Sequence, residues 1–385
     1  MRIFMVGLGT FEQMAGGSAR YLSGLSAGLQ RDGHIVEVRT AADHVPTVGY
    51  AERGPAGQLR RLVIRLLIAM PRSFWAVLSR PPDLVNVHFA LDGLPAVVAA
   101  AIRRVPVVVT FHGPWATEAI STGRRGGWPL STTLRRTIER SVYRRAQRCV
   151  VLSDSFGSIL RSMYGVNEQR IKVIPGGLDT GRFANVPRPA EARRQLGLPD
   201  CYTIATVRRL VPRMGIDLAI DALARITTRL DAVLLIAGSG PERDILEQHV
   251  RNLGLERRVR FLGRVPDEQL PLVYAAADVC VVPSRALEGF GFVALEALAS
   301  GTPVIATDTG GLRELVGGLE ERWVVARDAG AIATAIENVL DQPGAYPDGA
   351  ACRRYAATLD WGRILPSVVE VFREAIADIS RSTAR

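Results

Sequence analysis

Short runs rich in β-branched residues alternate along this chain with longer stretches in which apolar positions recur every three or four residues. RIFMVG is followed by a helical pattern over 17–31, then IVEV, LVNVH, a helix over 92–103, VPVVVTFH, a helix over 131–147, CVVL, a helix over 154–163 and IKVI. That alternation predicts successive βαβ units and a parallel sheet covered by helices on both faces. After IPGGLDTGRF (174–183) comes a polar, Pro-containing stretch, VPRPAEARRQ, and then a second series. YTIATV, 215–229, AVLLIAG, 241–253, RVRFLG, 267–276, DVCVV, 292–299, TPVIAT and RWVVA repeat the same order. The expected fold class is α/β, with two doubly wound domains over 1–178 and 179–347, a cleft between them, and a helical tail over 348–385 that packs back toward the first domain. Open α/β sheets bind ligands at the carboxyl ends of their strands, so chemistry is expected on the loops that follow strands.

The first such loop, GLGTFEQMAGG, departs from a dinucleotide fingerprint. Glu12 occupies the third glycine slot, and the second strand ends in Val38-Arg39 rather than an acid. Gly16 and Gly17 open the next helix, where amide groups suit a phosphate and a missing Cβ permits close approach; the pair serves equally as a plain helix-opening turn. FHGPW places His112 at the carboxyl end of a strand, as a hydrogen-bonding partner for a substrate hydroxyl or as a structural histidine. No second His or carboxylate stands at metal-ligand spacing. TVRRLVPRMGID gathers Arg208, Arg209 and Arg213 around one turn, favourable if an anion lies among them and tolerable if they are solvated. IAGSGPER supplies Gly238, Ser239 and Gly240 before a helix. The sharpest segment is PSRALEGFGFVALEALASGTPVI (283–305), where Glu288 precedes a Gly289-Phe290-Gly291 turn and Glu296 follows eight residues later, near the first turn of a helix. Carboxylates accept from vicinal diols and helix-start amides hold phosphate, so the segment can grip both ends of a nucleoside diphosphate sugar. A glycosidase pair would instead flank a scissile bond from opposite sides.

These residues resemble the retaining glycosyltransferases of family 4 (glycosyl transferases group 1), which have the GT-B fold of two Rossmann-like domains. The likeness runs through GGSARYLSGLSAGLQRDGHIVEV, FHG, VIPGGLDTGRF, RRLVPRMGID, IAGSGPER and EGFGFVALE, followed by ALASGTPVIATDTGG. It implies that Glu288 holds the hydroxyls of the transferred sugar and Glu296 the ribose diol, with Gly289 and the amides of Phe290, Gly291 and Phe292 along the sugar and phosphates. Gly16 or Gly17 would approach the diphosphate, Arg209 would bind it, and His112 would lie beside the sugar; Arg208, Arg213, Gly238, Ser239 and Val265 complete the expected sugar-nucleotide site. Glu288, His112 and Arg209 are the expected catalytic residues. Where the family pattern R-L-V-P-R-K-G has lysine this chain has Met214, and Arg208 replaces a common glycine. Losing one cation beside two phosphates weakens charge-assisted contacts by roughly 1.5–3 kcal/mol. Arg213 or Arg208 can reach in to replace it, and Arg213 is the expected substitute.

The implied reaction moves a hexose-type sugar from a UDP- or GDP-linked sugar to a hydroxyl acceptor, a glycan or lipid-linked glycan of cell-surface polysaccharide synthesis. It proceeds with retention and without a cofactor. No Asp-x-Asp motif is present to hold a divalent metal, so no metal site is expected. A nucleotide-sugar epimerase of the same architecture is the alternative. Composition agrees with a two-domain globular chain: 385 residues, 48% hydrophobic and 22% charged. Four cysteines stand singly and are expected as reduced core residues. Only Lys172 is a lysine, so fixed-charge arginine carries any anion binding.

Residues 1–180 hold 23 Arg and Lys against 12 Asp and Glu, while 181–385 hold 25 against 26. The excess is concentrated in Arg60, Arg61, Arg65, Arg72 and Arg80, interleaved with apolar residues, and in Arg124, Arg125, Arg135, Arg136, Arg140, Arg144, Arg145 and Arg148. A basic face with apolar side chains suits an anionic membrane surface, and no nucleic-acid motif occurs. No apolar run reaches the length of a membrane span. The expectation is a cytoplasmic protein, with peripheral attachment to the inner face of the membrane as a hypothesis and oligomeric state open.

Overall fold

The computed structural model describes residues 1–7, 16–40, 69–116, 131–226 and 231–383. Outside them lie most of the first loop, Arg60, Arg61, Arg65, Arg124 and Arg125, and the end of the helix expected over 215–229. The chain divides into two units. The first takes the residues up to Gly177 together with the segment from Trp361 onward, and the second is Leu178–Asp360.

In the first unit β1 (Arg2–Gly7), β2 (Ile35–Thr40), β3 (Leu84–Val87), β4 (Val107–Phe111), β5 (Arg148–Val151) and β6 (Ile171–Val173) form a parallel sheet in the order β2-β1-β3-β4-β5-β6. Every residue of β3 and β4 is buried, as strands covered on both faces must be. The connecting helices are α1 (Gly17–Arg31), α2 (Met70–Ser79), α3 (Ala90–Arg103), α4 (Thr132–Arg145) and α5 (Asp154–Tyr164). Ser131 and Ser153 cap α4 and α5 by accepting from Leu134 N and Phe156 N. Pro71 stands in the first turn of α2, where a missing N–H costs nothing.

The second unit repeats the plan with β7 (Tyr202–Val207), β8 (Ala232–Ala237), β9 (Val259–Gly263), β10 (Val279–Val282), β11 (Val304–Thr307) and β12 (Val324–Val325) in the order β12-β11-β10-β7-β8-β9. Its helices are α6 (Gly181–Ala184), α7 (Pro189–Gln195), α8 (Ile216–Arg225), α9 (Arg243–Asn252), α10 (Leu270–Ala276), α11 (Phe292–Ala299), α12 (Gly311–Gly317), α13 (Ala329–Asp341) and α14 (Gly349–Ala357). The polar, Pro-containing stretch after the junction forms α7, which buries Ala192 against Ala275 and Ala276.

The tail is two helices with different destinations. α14, capped by Asp348, packs on α11 within the second unit, so the chain joins the first unit only at α15 (Trp361–Thr383) and not at 348. Trp361 is 3% exposed and lies against Gly24 and Gly177, where a Cβ on either would strike its ring. Farther along α15, Glu374 pairs with both Arg148 and Lys172 at 3.1 Å. At the junction Leu178 N donates to Leu359 O (3.0 Å), and Thr180 donates from its hydroxyl to Asp360 (2.8 Å).

Each sheet reverses its strand order once. In the first the chain lays β2 on one side of β1 and β3 on the other; in the second β8 and β10 flank β7. At such a reversal the loops after the two central strands diverge, which opens a crevice at the carboxyl edge.

Candidate functional site

In the second unit the reversal sets the loop after β7 beside the loop after β10. Arg208 leaves the first and Ser284 begins the second; both are buried. Arg208 Nη2 pairs with Glu288 Oε2 at 2.5 Å, donates to Ser284 Oγ, and lies 2.7 Å from the sulfur of Met214. Ser284 donates to the same carboxylate oxygen at 3.0 Å. Its carbonyl is held in turn by the hydroxyls of Thr307 (2.6 Å) and Thr309 (2.8 Å). Burial pushes the Glu288 carboxyl up, but the charge and hydrogen bond of Arg208, the charge of Arg213 and the Ser284 hydroxyl outweigh it and hold the group below its ordinary range.

The backbone around Glu288 is equally constrained. Leu287 takes a left-handed conformation (φ 52°), uncommon for a branched residue, and Arg213 Nη1 donates to its carbonyl at 3.2 Å. Gly311 N donates to Glu288 O at 2.9 Å, and a Cβ at Gly310 would strike that oxygen, so only glycine lets the two loops close. Arg213 therefore fixes the loop, while the guanidinium packed against Met214 belongs to Arg208.

The remaining residues of the second unit surround this group to different degrees. Gly291 (φ 99°) precedes α11, and the edge-to-face rings of Phe290 and Phe292 stand 5.1 Å apart. The first N–H groups of a helix have no intrahelical acceptor and are available to an anion. Gly238 has φ 145°, and a Cβ there would strike the carbonyl of Arg208; Leu210 N donates to Ser239 O (3.1 Å). Backbone contacts thus knit the loops after β7 and β8 together. Arg209 is exposed, and Val265 is half-buried beyond β9, the edge strand. Glu296, the fifth residue of α11 and so at the end of its first turn as expected, is 0% exposed and accepts from the Tyr274 hydroxyl at 2.8 Å.

In the first unit His112 follows β4, and it has a partner that the sequence reading missed. His88, directly after β3, places Nδ1 3.0 Å from His112 Nε2, and the two rings lie nearly parallel, side by side, with centroids 5.3 Å apart. Behind His88, Asn86 of β3 is 0% exposed. Its Oδ1 lies 2.6 Å from His88 Nε2, and its Nδ2 donates to Val108 O and Thr110 Oγ1. Tyr21 of α1 packs its edge on His112 and on Trp361. The turn after His112 is anchored by Glu139, 0% exposed, which accepts from Trp115 N, Ala116 N and the hydroxyls of Tyr143 and Tyr164. Gly17 begins α1, and a Cβ at Gly16 meets nothing within 4 Å. A polar Asn in an otherwise apolar strand, followed two residues later by His, was the available signal for Asn86 and His88. Glu139, one acid among arginines, carried none. Among the described residues no three His, Cys, Asp or Glu side chains gather as a metal site.

A family model described as Glycosyltransferase Family 4 matches residues 15–182, and one described as Glycosyl transferases group 1 matches 190–358. The chain is 31% identical to an uncharacterized glycosyltransferase of Methanocaldococcus jannaschii over 99% of this chain and all of that one. Among solved structures it superposes on sucrose-phosphate synthase of Thermosynechococcus elongatus with a TM-score of 0.79 and 26% identity, over 98% of this chain and 99% of that one. It also superposes on Anabaena HepE in complex with UDP, with a TM-score of 0.75 and 22% identity, over 97% of this chain and the whole of that one.

Proposed function

The chain belongs to the group 1 glycosyltransferases of family 4, and from that premise we propose that it transfers a sugar from a nucleoside diphosphate sugar to a hydroxyl acceptor with retention at the anomeric carbon. The observation that carries this reading is the Arg208–Glu288–Ser284 group at the strand reversal of the second sheet, beside the glycine-led start of α11. A carboxylate held ionised there accepts from sugar hydroxyls, and Glu296 takes the ribose diol. Arg209 and the helix-start amides take the diphosphate, whose charge grows as the glycosidic bond breaks. Arg208 supplies the charge that a lysine at 214 would have given. In the first unit His112 meets a hydroxyl of the transferred sugar, and Gly16 and Gly17 serve the diphosphate. The acceptor hydroxyl attacks the face the diphosphate leaves, and the departing phosphate takes its proton. These arginines and amides supply the neutralisation without a metal ion. The acceptor class is a glycan or lipid-linked glycan.

A thermal-shift panel of UDP, GDP, ADP and TDP tests the reading, followed by the matching sugar nucleotides with and without a glycan acceptor. One nucleotide raises Tm by several degrees in the wild type and not in Arg209→Ala. The UDP complex of the Anabaena neighbour makes UDP the first to try. Conversion of the sugar nucleotide with no transfer to any acceptor would favour the epimerase instead.

Peripheral attachment to membrane is part of the proposal. Among the described residues no helix is long and apolar enough to cross a membrane. α2, α3 and α4 pack side by side and expose Trp75 (62%) and Ile102 (60%) together with Arg72, Arg80, Arg103, Arg136, Arg140 and Arg144. Cations near an anionic surface contribute about 1 kcal/mol each, and the aromatic side chain adds an anchor. In flotation, vesicles with 30% anionic lipid carry the protein and neutral vesicles do not. Equal recovery with both, or none with either, ends this part of the reading.

A further inference from the structure

We propose that His88, held by Asn86, is a positioning residue that fixes His112 in one tautomer, with the proton on Nε2 and Nδ1 bare, so that His112 meets substrate as a hydrogen-bond acceptor only. The inference rests on the reading of His112 as a substrate contact, and it goes beyond that reading by assigning the proton and the residues that place it.

The chain of bonds begins at its buried end. Asn86 Nδ2 is 3.1 Å from Val108 O, an obligate acceptor, and 3.2 Å from Thr110 Oγ1. Both amide hydrogens are thereby used and the amide orientation is settled, which leaves Oδ1 facing His88 Nε2 at 2.6 Å. A carbonyl oxygen only accepts, so His88 Nε2 carries hydrogen. In a neutral imidazole the other nitrogen is then a lone pair. That lone pair, Nδ1, lies 3.0 Å from His112 Nε2, which must therefore donate. The second ring has its proton fixed on Nε2 as well, and its Nδ1 presents a lone pair.

Neutrality follows from the surroundings. His88 is 8% exposed, the two imidazoles lie side by side, and the Tyr21 ring packs against both. Burial pushes His112 down to about 4, and burial together with the neighbouring imidazole pushes His88 well below its ordinary value. A second proton would put a cation among apolar rings. The half-buried His112 has no hydrogen-bond partner at Nδ1 among the described residues. The functional consequence is selective: a sugar hydroxyl donates to this nitrogen, whereas a carbonyl or ether oxygen at the same place finds no hydrogen.

The test is made on the full-length protein labelled with 15N-histidine, by long-range proton–nitrogen correlation. Five histidines make the spectrum tractable, and His112→Asn identifies the ring by its loss. The expected pattern for His112 is a protonated Nε2 and a bare Nδ1. A ring protonated at Nδ1, or at both nitrogens near neutral pH, overturns the proposal without any variant at position 88. His88→Leu, which removes the acceptor, mixes the tautomers. His88→Gln, which offers an amide oxygen, restores the pattern. In turnover of UDP-glucose or GDP-mannose, His88→Leu lowers kcat about 10- to 100-fold with KM within about threefold, the scale of losing a partner that orients a ligating histidine, and His88→Gln recovers most of it. A folded His88→Leu protein with unchanged tautomer and unchanged kcat overturns the proposal. Full turnover in His112→Ala fails the reading of His112 instead, and leaves the spectroscopic result standing.

Discussion

Arg208→Gly is expected to cut sugar transfer by about 10²–10³-fold, the scale of removing one preorganised charge from an active site, and Met214→Lys added to that variant to return turnover to within about tenfold of the parent. Arg208 reaches the Glu288 carboxylate, the Ser284 hydroxyl and the Met214 sulfur with one nitrogen. Removing it leaves a carboxylate whose side chain is only 15% exposed without its main counter-charge. Breaking a buried pair costs about 3–5 kcal/mol, and the partly open edge of Glu288 brings the expectation to about 2–3. A lysine grown from position 214 returns an ammonium to the same carboxylate. Met214→Lys alone crowds two cations on one anion and destabilises, so the two changes are strongly non-additive.

The acid limb gives an independent reading. In the parent the Glu288 pKa is depressed, so its stabilisation is present above the unfolded carboxylate value and is lost as pH falls through the folded one. Without Arg208 less opposes burial, the folded pKa rises, and the sign reverses: the variant gains relative stability as it is acidified through the carboxylate range. Urea melts at pH 7.5 and 4.5 with kcat at pH 7.5 decide the matter. A well-folded double variant with no recovered turnover would separate Arg208 from the lysine's role.

The second large effect belongs to Glu139. Its two oxygens accept from two backbone amides (2.8 and 3.2 Å) and two tyrosine hydroxyls (3.3 and 2.8 Å) in a site with no exposure. Glu139→Ala strands four donors at about 1–3 kcal/mol each. Even partial relaxation leaves a loss of about 4 kcal/mol, or roughly 10 °C in Tm for a domain of this size. Glu139→Gln keeps one acceptor oxygen and is expected to lose about half as much. Because Trp115 and Ala116 close the turn after His112, kcat falls in both variants at temperatures where they remain folded. A Glu139→Ala protein that melts within 3 °C of the parent would show that the carboxylate is not the anchor of this turn.

Much of the architecture is visible in the sequence because parallel strands buried on both faces must be continuous apolar runs; VVVTF and AVLLIA admit little else. The loops of the second unit are legible for a related reason. Glycines forced by close backbone approach, such as Gly238 and Gly310, leave a spacing that few other structures require. The sequence could not show how the arginines on either side of Met214 divide: Arg208 packs on its sulfur and on Ser284, while Arg213 holds the carbonyl of Leu287. The histidine pair was hidden because its members lie 24 residues apart, and only the β3–β4 register, Asn86 opposite Val108, makes them neighbours. α14 was misplaced because its amphipathic pattern does not reveal which unit it covers.

The clasp at the junction makes the second unit topologically an insertion. Leu178 and Asp360 form a parallel bridge and share their hydrogen bonds, so the stretch between them begins and ends at one point. On the other side of the same two peptide bonds, Gly177 lies against Trp361. A segment whose ends meet in this way can be lifted out of a gene and its host resealed by a few residues, so the second unit can be exchanged for another of the same fold while the first unit's sheet and its last helix stay in register.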